Sequence, residues 1–209
     1  IGIFMSGIIA QNTLDSSGLV KAPAGGGAWN FISKQTASAD STIDFTSGID
    51  STYREYLFTF KDIHPATDNA LFQFNMSIDA GSNYNVTKTT TFFKARLSEA
   101  DSENELGYET GSDLAQSTSF QPFVYNGISN DNDSSLCGVF HIFNPSSDTF
   151  VKHFLAQCHY MSTSGSAEVA YNTFVAGYGN TTSDVDAVQF NMSSGNIDAG
   201  DICLYGLTT

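Results

Sequence analysis

The amino-acid sequence predicts an all-β protein: an antiparallel β-sandwich, jelly-roll-like, carrying an extended N-terminal arm. Three observations predict it. Apolar and polar residues alternate at period two through most of the chain, most cleanly over residues 70–78, where Phe72, Phe74, Met76 and Ile78 oppose Leu71, Gln73, Asn75 and Ser77. Turn chemistry rich in Gly, Asn, Asp and Ser recurs between these runs, and no window sustains a helical period. The segment before residue 28 is composed differently from everything after it. The expected organisation is an assembly arm with a Gly-rich joint over residues 1–27 and one sandwich domain over 28–209.

The arm begins with an apolar decapeptide that includes Ile1, Ile3, Phe4, Ile8 and Ile9, and it ends in Ala22-Pro-Ala-Gly-Gly-Gly27. Fully extended it would reach about 90 Å at 3.3 Å per residue. The decapeptide is too short to span a bilayer and lacks the basic start of a secretory signal, so neither membrane insertion nor export is expected. Its side chains need burial. They could cover one end of their own sandwich; the preferred reading makes them an oligomerisation arm that packs on sister copies or a docking protein.

Strands follow from Trp29 onward. Trp29 and Phe31 share one face of the first, Ile43 and Phe45 one face of the second, and Tyr56, Phe58 and Phe60 one face of the third. Residues 62–69 are turn chemistry, with Pro65 holding His64 extended. After the strand over 70–78, the turn at 79–83 is expected to close a hairpin onto a Thr- and Phe-rich strand over 89–97. Residues 98–119, acidic and poor in apolar groups, read as a long surface loop. A short strand over 120–125 carries Pro122, which marks a sheet edge. Residues 136–143 and 149–161 should pair through the turn at 144–148, and a strand over 167–178 follows. The chain closes on Val188, Phe190 and Met192, a turn at 194–196, and Ile202 and Leu204, read as a terminal hairpin. This makes about ten or eleven strands.

Composition narrows the function classes. Eight Lys and Arg stand against 22 Asp and Glu, a net charge of −14, which argues against nucleic acid and anionic membranes, since phosphate contacts need clustered cations. Solubility in a salty medium accounts for the acidity, and divalent-cation binding by some carboxylates is the alternative. The cysteines, Cys137, Cys158 and Cys203, are odd in number and lie among apolar neighbours, so all three read as small buried hydrophobes and free thiols, suited to synthesis in a cytoplasm. Seventeen phenylalanines imply an aromatic core. Burying one such ring is worth at most roughly 4 to 6 kcal/mol, so alanine at Trp29 or Phe74 is expected to be severely destabilising.

No catalytic constellation is expected. Nucleophile-elbow, phosphate-loop and His-Glu-x-x-His patterns are all missing from the sequence. His153 and His159 share a strand face with His141 on the neighbouring strand, but residues six apart in a strand lie about 20 Å apart and cannot share one metal ion. Asn130, Asp131, Asn132 and Asp133 present the alternating oxygens of a weak cation or host-contact loop, without the Gly and terminal Glu of an EF-hand. Neither a metal nor a cofactor is assigned.

The run Ser194-Gly-Asn-Ile-Asp-Ala-Gly-Asp-Ile-Cys-Leu-Tyr-Gly206 resembles the closing segment of β-rich, tail-fibre-like structural virion proteins of tailed, often marine, bacteriophages. The resemblance extends through Trp29-Asn-Phe-Ile-Ser33, residues 41–50 with Tyr53, His64-Pro-Ala-Thr-Asp68 and Gly81-Ser-Asn-Tyr84. It implies a place in a virus particle assembled in the host cytoplasm. The expected protein is therefore a non-enzymatic tail-fibre or fibre-like appendage. It would form a homo-oligomer, a trimer by preference, through its arm and one sandwich face, and contact other virion proteins. Polar loops with Tyr84, Tyr125 and Asn130 would suit contact with the host surface or its glycans. Capsid decoration and a lectin-like, carbohydrate-binding module without catalysis are the alternatives.

Overall fold

The computed structural model describes residues 29–164 and 167–207. The proposed arm and its residues Ile1, Ile3, Phe4, Ile8 and Ile9 lie outside them. The described chain is an all-β sandwich of two antiparallel sheets. In chain order its strands are β1 (Trp29–Asp40), β2 (Thr42–Phe45), β3 (Glu55–Pro65), β4 (Phe72–Ser77), β5 (Lys88–Ser98) and β6 (Asn104–Tyr108). β7 (Gln121–Pro122), β8 (Leu136–Phe143), β9 (Lys152–Ser164), β10 (Ala167–Gly179), β11 (Ala187–Met192) and β12 (Ile197–Leu207) complete it.

The large sheet has eight strands in the order β1-β12-β3-β8-β9-β10-β5-β6, and the small one four, β2-β11-β4-β7. The chain changes sheet repeatedly, which is consistent with the jelly-roll-like expectation. Between the sheets, Phe58, Phe72, Phe74, Phe123, Phe140 and Phe190 are fully buried. Their ring centroids lie 4.4 to 6.4 Å apart in stacked, tilted and edge-on pairs, the arrangements aromatic quadrupoles favour.

The hairpin β8/β9 forms as the turn chemistry predicts, and β10 pairs in turn with β9. Two other expected hairpins do not form. β11 pairs with β2 and β4 in the small sheet, while β12 pairs with β1 and β3 in the large one, so the closing segment is an arch between sheets. Likewise the turn at 79–83 carries the chain from β4 to β5 in the other sheet. Alternation aims Phe190 and Leu204 at one core whether their strands lie side by side or face to face, so period two cannot separate an arch from a hairpin.

Residues 98–119 also differ from the expected loop, because they contain β6. Their acidity is the complement of the cations on β5: Glu105 lies 2.9 Å from Arg96 and 3.5 Å from Lys94, and Glu103 lies 3.4 Å from Arg96. The strand expected over 120–125 shrinks to β7, an edge strand ending at Pro122, with Phe123 and Val124 buried beyond it.

Candidate functional site: the outer face of the large sheet

The two sheets present opposite kinds of surface. On the outside of the small sheet stand Thr42, Asp44, Gln73, Gln189 and Asn191, the polar set expected of a wet face. Gln189 Nε2 donates to Asp44 Oδ1 at 2.6 Å there. The outside of the large sheet is different. β8 points Cys137, Val139, His141 and Phe143 outward, and β9 points His153, Leu155, Gln157 and His159. β10 adds Asn172, Phe174, Ala176 and Tyr178, and β5 adds Thr89, Thr91, Phe93, Ala95 and Leu97. None of these residues is Asp, Glu, Lys or Arg, in a chain of net charge −14.

β5 is the most informative strand. Its outward residues include Phe93 and Leu97, 41% and 49% exposed, whereas its inward residues include Lys88 and Lys94, at 0% and 2%. Phe92, also fully buried, lies inward between the two lysines, so the strand carries apolar side chains on both faces and not the polar outer face of an ordinary half-buried strand. The inward cations are individually satisfied. Lys88 Nζ donates to Asn75 Oδ1 at 2.5 Å and to the Val86 carbonyl at 2.8 Å, and burial lowers its pKa from 10.5 to about 7. Lys94 pairs with Glu109 and Glu105 and lies 3.9 Å above the centre of the Tyr125 ring. A third cation, Lys152 on β9, is buried against the Ser147 and Phe150 carbonyls.

The outward side chains make a continuous relief. Phe93 and Phe174 stack with centroids 4.8 Å apart across paired positions, and Tyr108 and Leu106 of β6 extend the stripe to the sheet edge. Beside this ridge lies a depression of about 420 Å³ bounded by Phe143, His153, Leu155 and Tyr178, and a second of about 370 Å³ bounded by Val139, His141, Gln157 and Phe174. Toward the opposite edge the face continues through His141, which touches the Trp29 ring edge-on at 5.9 Å and bonds Glu55 through Nδ1 at 2.8 Å, to Phe31 packed on Tyr205. Charge returns there, with Lys34 and Asp201 paired at 3.1 Å.

Several expected residues fall elsewhere. Trp29 and Phe31 do share a face, but it is this outer one, where they are 39% and 60% exposed, so Trp29 is not a core residue. Alternation fixes that two side chains agree in direction, not which direction is inward. Cys158 is buried and Cys203 half-buried, but Cys137 is exposed, which corrects the reading of all three thiols as core hydrophobes. Tyr84 and Tyr125 are half-buried rather than free for host contact; the Tyr84 hydroxyl is shielded from solvent, and Lys94 covers the Tyr125 ring.

The loop of Asn130, Asp131, Asn132 and Asp133 sits at the end of β8, and its oxygens are partly engaged. Asp131 accepts from the Ser129 hydroxyl at 2.8 Å, its carbonyl accepts from the Ser134 N–H at 2.9 Å, and Asp68 accepts from the Asn130 N–H at 3.3 Å. Asn132 and Ser134 border a polar depression of about 390 Å³ shared with Asp62, His64 and Asp198. Among the described residues no group of three or more His, Cys, Asp or Glu side chains could hold a metal ion. Among the described residues there is no helix long and apolar enough to cross a membrane.

The fold and its surface define a two-sheet antiparallel sandwich with one polar and one largely uncharged, aromatic outer face. No protein-family model, curated protein or solved structure matches the chain.

Proposed function

We propose that the protein is a non-enzymatic structural component of a tailed-bacteriophage virion, a tail-fibre or fibre-like appendage assembled as a homo-oligomer, by preference a trimer. The sequence resemblance supplies the virion class. The observation that supports an assembly role is the outer face of the large sheet, where aromatic and aliphatic side chains stand outward while lysines of the same strand point in. Capsid decoration would use the same surface and is the alternative location within the particle.

Two measurements test this reading. Solution mass is compared between the full chain and a chain starting at Ala28. A multimer of the 22.5 kDa chain that becomes a monomer on shortening makes the arm an assembly element. A full chain that stays monomeric at every concentration removes self-assembly from the proposal. Antibody labelling of phage particles by electron microscopy then separates tail from capsid, and absence of label from every particle rejects the virion assignment.

The polar depression beside Asn132 favours a second reading, a lectin-like module that binds host glycan without cleaving it. A glycan array probed with the full chain tests it, and retention of no sugar rejects it.

A further inference from the structure

The structure carries one inference further than self-assembly through an arm, and it rests on the assembly reading above. We propose that the outer face of β8, β9, β10, β5 and β6 is the surface on which a second copy of this chain docks.

Three independent features select that face and that occupant. First, β5 is apolar on both faces, with Phe92 buried inside beside Lys94 while Phe93 and Leu97 stand outward. Placing lysine inside and phenylalanine outside costs free energy on both sides if the outside is water. The arrangement is favourable when the outside is itself covered. Second, each copy carries a net charge of −14, so two copies repel except where acidic groups are absent. The outward positions of these strands, uncharged apart from Glu168 at the start of β10, provide such a place, and the small sheet, with Asp44 outward, does not. Third, the extent fits. Five strands spaced about 4.8 Å apart and about 30 Å long project on the order of 700 Å², close to the roughly 800 Å² per partner of a standard stable interface.

The flanks of the face carry Gln157, His159, Asn172 and Tyr178, and its stacked centre favours a protein partner. Phe93 and Phe174 stack on each other and carry no hydroxyl, whereas a sugar needs several directed hydrogen bonds around any stacking ring. Ala95 and Ala176 alternate with Phe174 and Leu155, giving the large-beside-small relief that interlocks with another side-chain surface.

The test uses the full chain in sedimentation velocity over a range of concentrations. Leu155→Glu and Phe174→Glu each place a charge at the centre of the face, and Gln73→Glu places the same charge on the outside of the small sheet. The expected result is a multimer for the parent and for Gln73→Glu, and a 22.5 kDa monomer for both face variants with cooperative thermal unfolding retained. Face variants that keep the parent's mass overturn this interface, and if shortening to Ala28 still yields monomers the arm-based assembly reading survives. A parent that is monomeric throughout overturns both. Should the glutamates prevent folding, the unsubstituted chain gives the answer through Cys137, an exposed thiol at the β8 end of the face. Its alkylation, followed by peptide mass, should slow severalfold as concentration drives assembly. An unchanged rate across the monomer-to-multimer transition overturns the proposal.

Discussion

Phe74 and Trp29 show how far two aromatic residues in similar sequence settings can diverge. Phe74 is fully enclosed and touches the rings of Phe123, Phe140 and Phe154, so Phe74→Ala should destabilise the fold by about 3–5 kcal/mol in urea unfolding. Trp29 rests edge-on against His141 at the end of an edge strand, and Trp29→Ala should cost less than about 1 kcal/mol in the monomer. Lys88 makes a different prediction. Its folded pKa of about 7 lies below the ordinary 10.5 because burial disfavours the charged form. Below about pH 7 both folded and unfolded chains hold the proton and the penalty is complete. Between about 7 and 10.5 the unfolded chain binds the proton that the folded chain has released, so this residue makes stability rise with pH. Lys88→Met should flatten that rise, and the difference between parent and variant unfolding free energies at pH 6.5 and 9.5 measures it.

At the scale of elements, β12 joins the large sheet together. It lies between β1 and β3, and removing it would strip hydrogen-bond partners from both while exposing Ile197, Ile202 and Leu204. A chain stopped before Ile197 should show no cooperative unfolding transition by circular dichroism. Within β12, the ladder to β3 is irregular around Gly200, which sits at φ +123° with its α-carbon so near β3 that a Cβ would meet the Asp62 carbonyl oxygen at 2.7 Å. Gly200→Ala therefore combines backbone strain with a steric clash and should destabilise by about 2 kcal/mol or more. β5 and β6 illustrate a different lesson. Cations on one strand and acids on its neighbour settle an edge that hydrophobic alternation alone would leave unassigned.

For the whole molecule, charge and shape act against each other. A net charge of −14 keeps single copies apart, whereas the proposed interface on the largely uncharged face of the large sheet would draw them together. Repulsion between whole subunits acts over the Debye length, which shrinks from about 30 Å at 0.01 M salt to about 8 Å at 0.15 M, whereas contact between apolar side chains is weakened little by such salt. Association should therefore tighten as salt is raised across that range, with weight-average mass by light scattering as the readout. An assembly held by ion pairs would loosen instead.

Period-two alternation, recurrent turn residues and the missing helical period were enough to determine an all-β sandwich, most of its strands, and the inward direction of β3 and of Phe72, Phe74 and Met76 on β4, because those properties are written in neighbours along the chain; Ile78, expected inside, is exposed, and Asn75 and Ser77, expected on the wet face, are buried. The hairpin β8/β9 was legible for the same reason, as was the strand β10 that follows it. Which sheet β11 and β12 enter, whether the turn at 79–83 is a hairpin or an arch, and which side of β1 and β5 is inside are settled only by contacts between residues far apart in sequence. Alternation is symmetric under exchange of the two faces. On β5 that symmetry is broken by Asn75, Glu109 and Tyr125, partners from other parts of the chain, which hold Lys88 and Lys94 inward and leave Phe93 on the surface. The candidate interface was invisible in the sequence for this reason: its residues look like core until the fold shows which way they point.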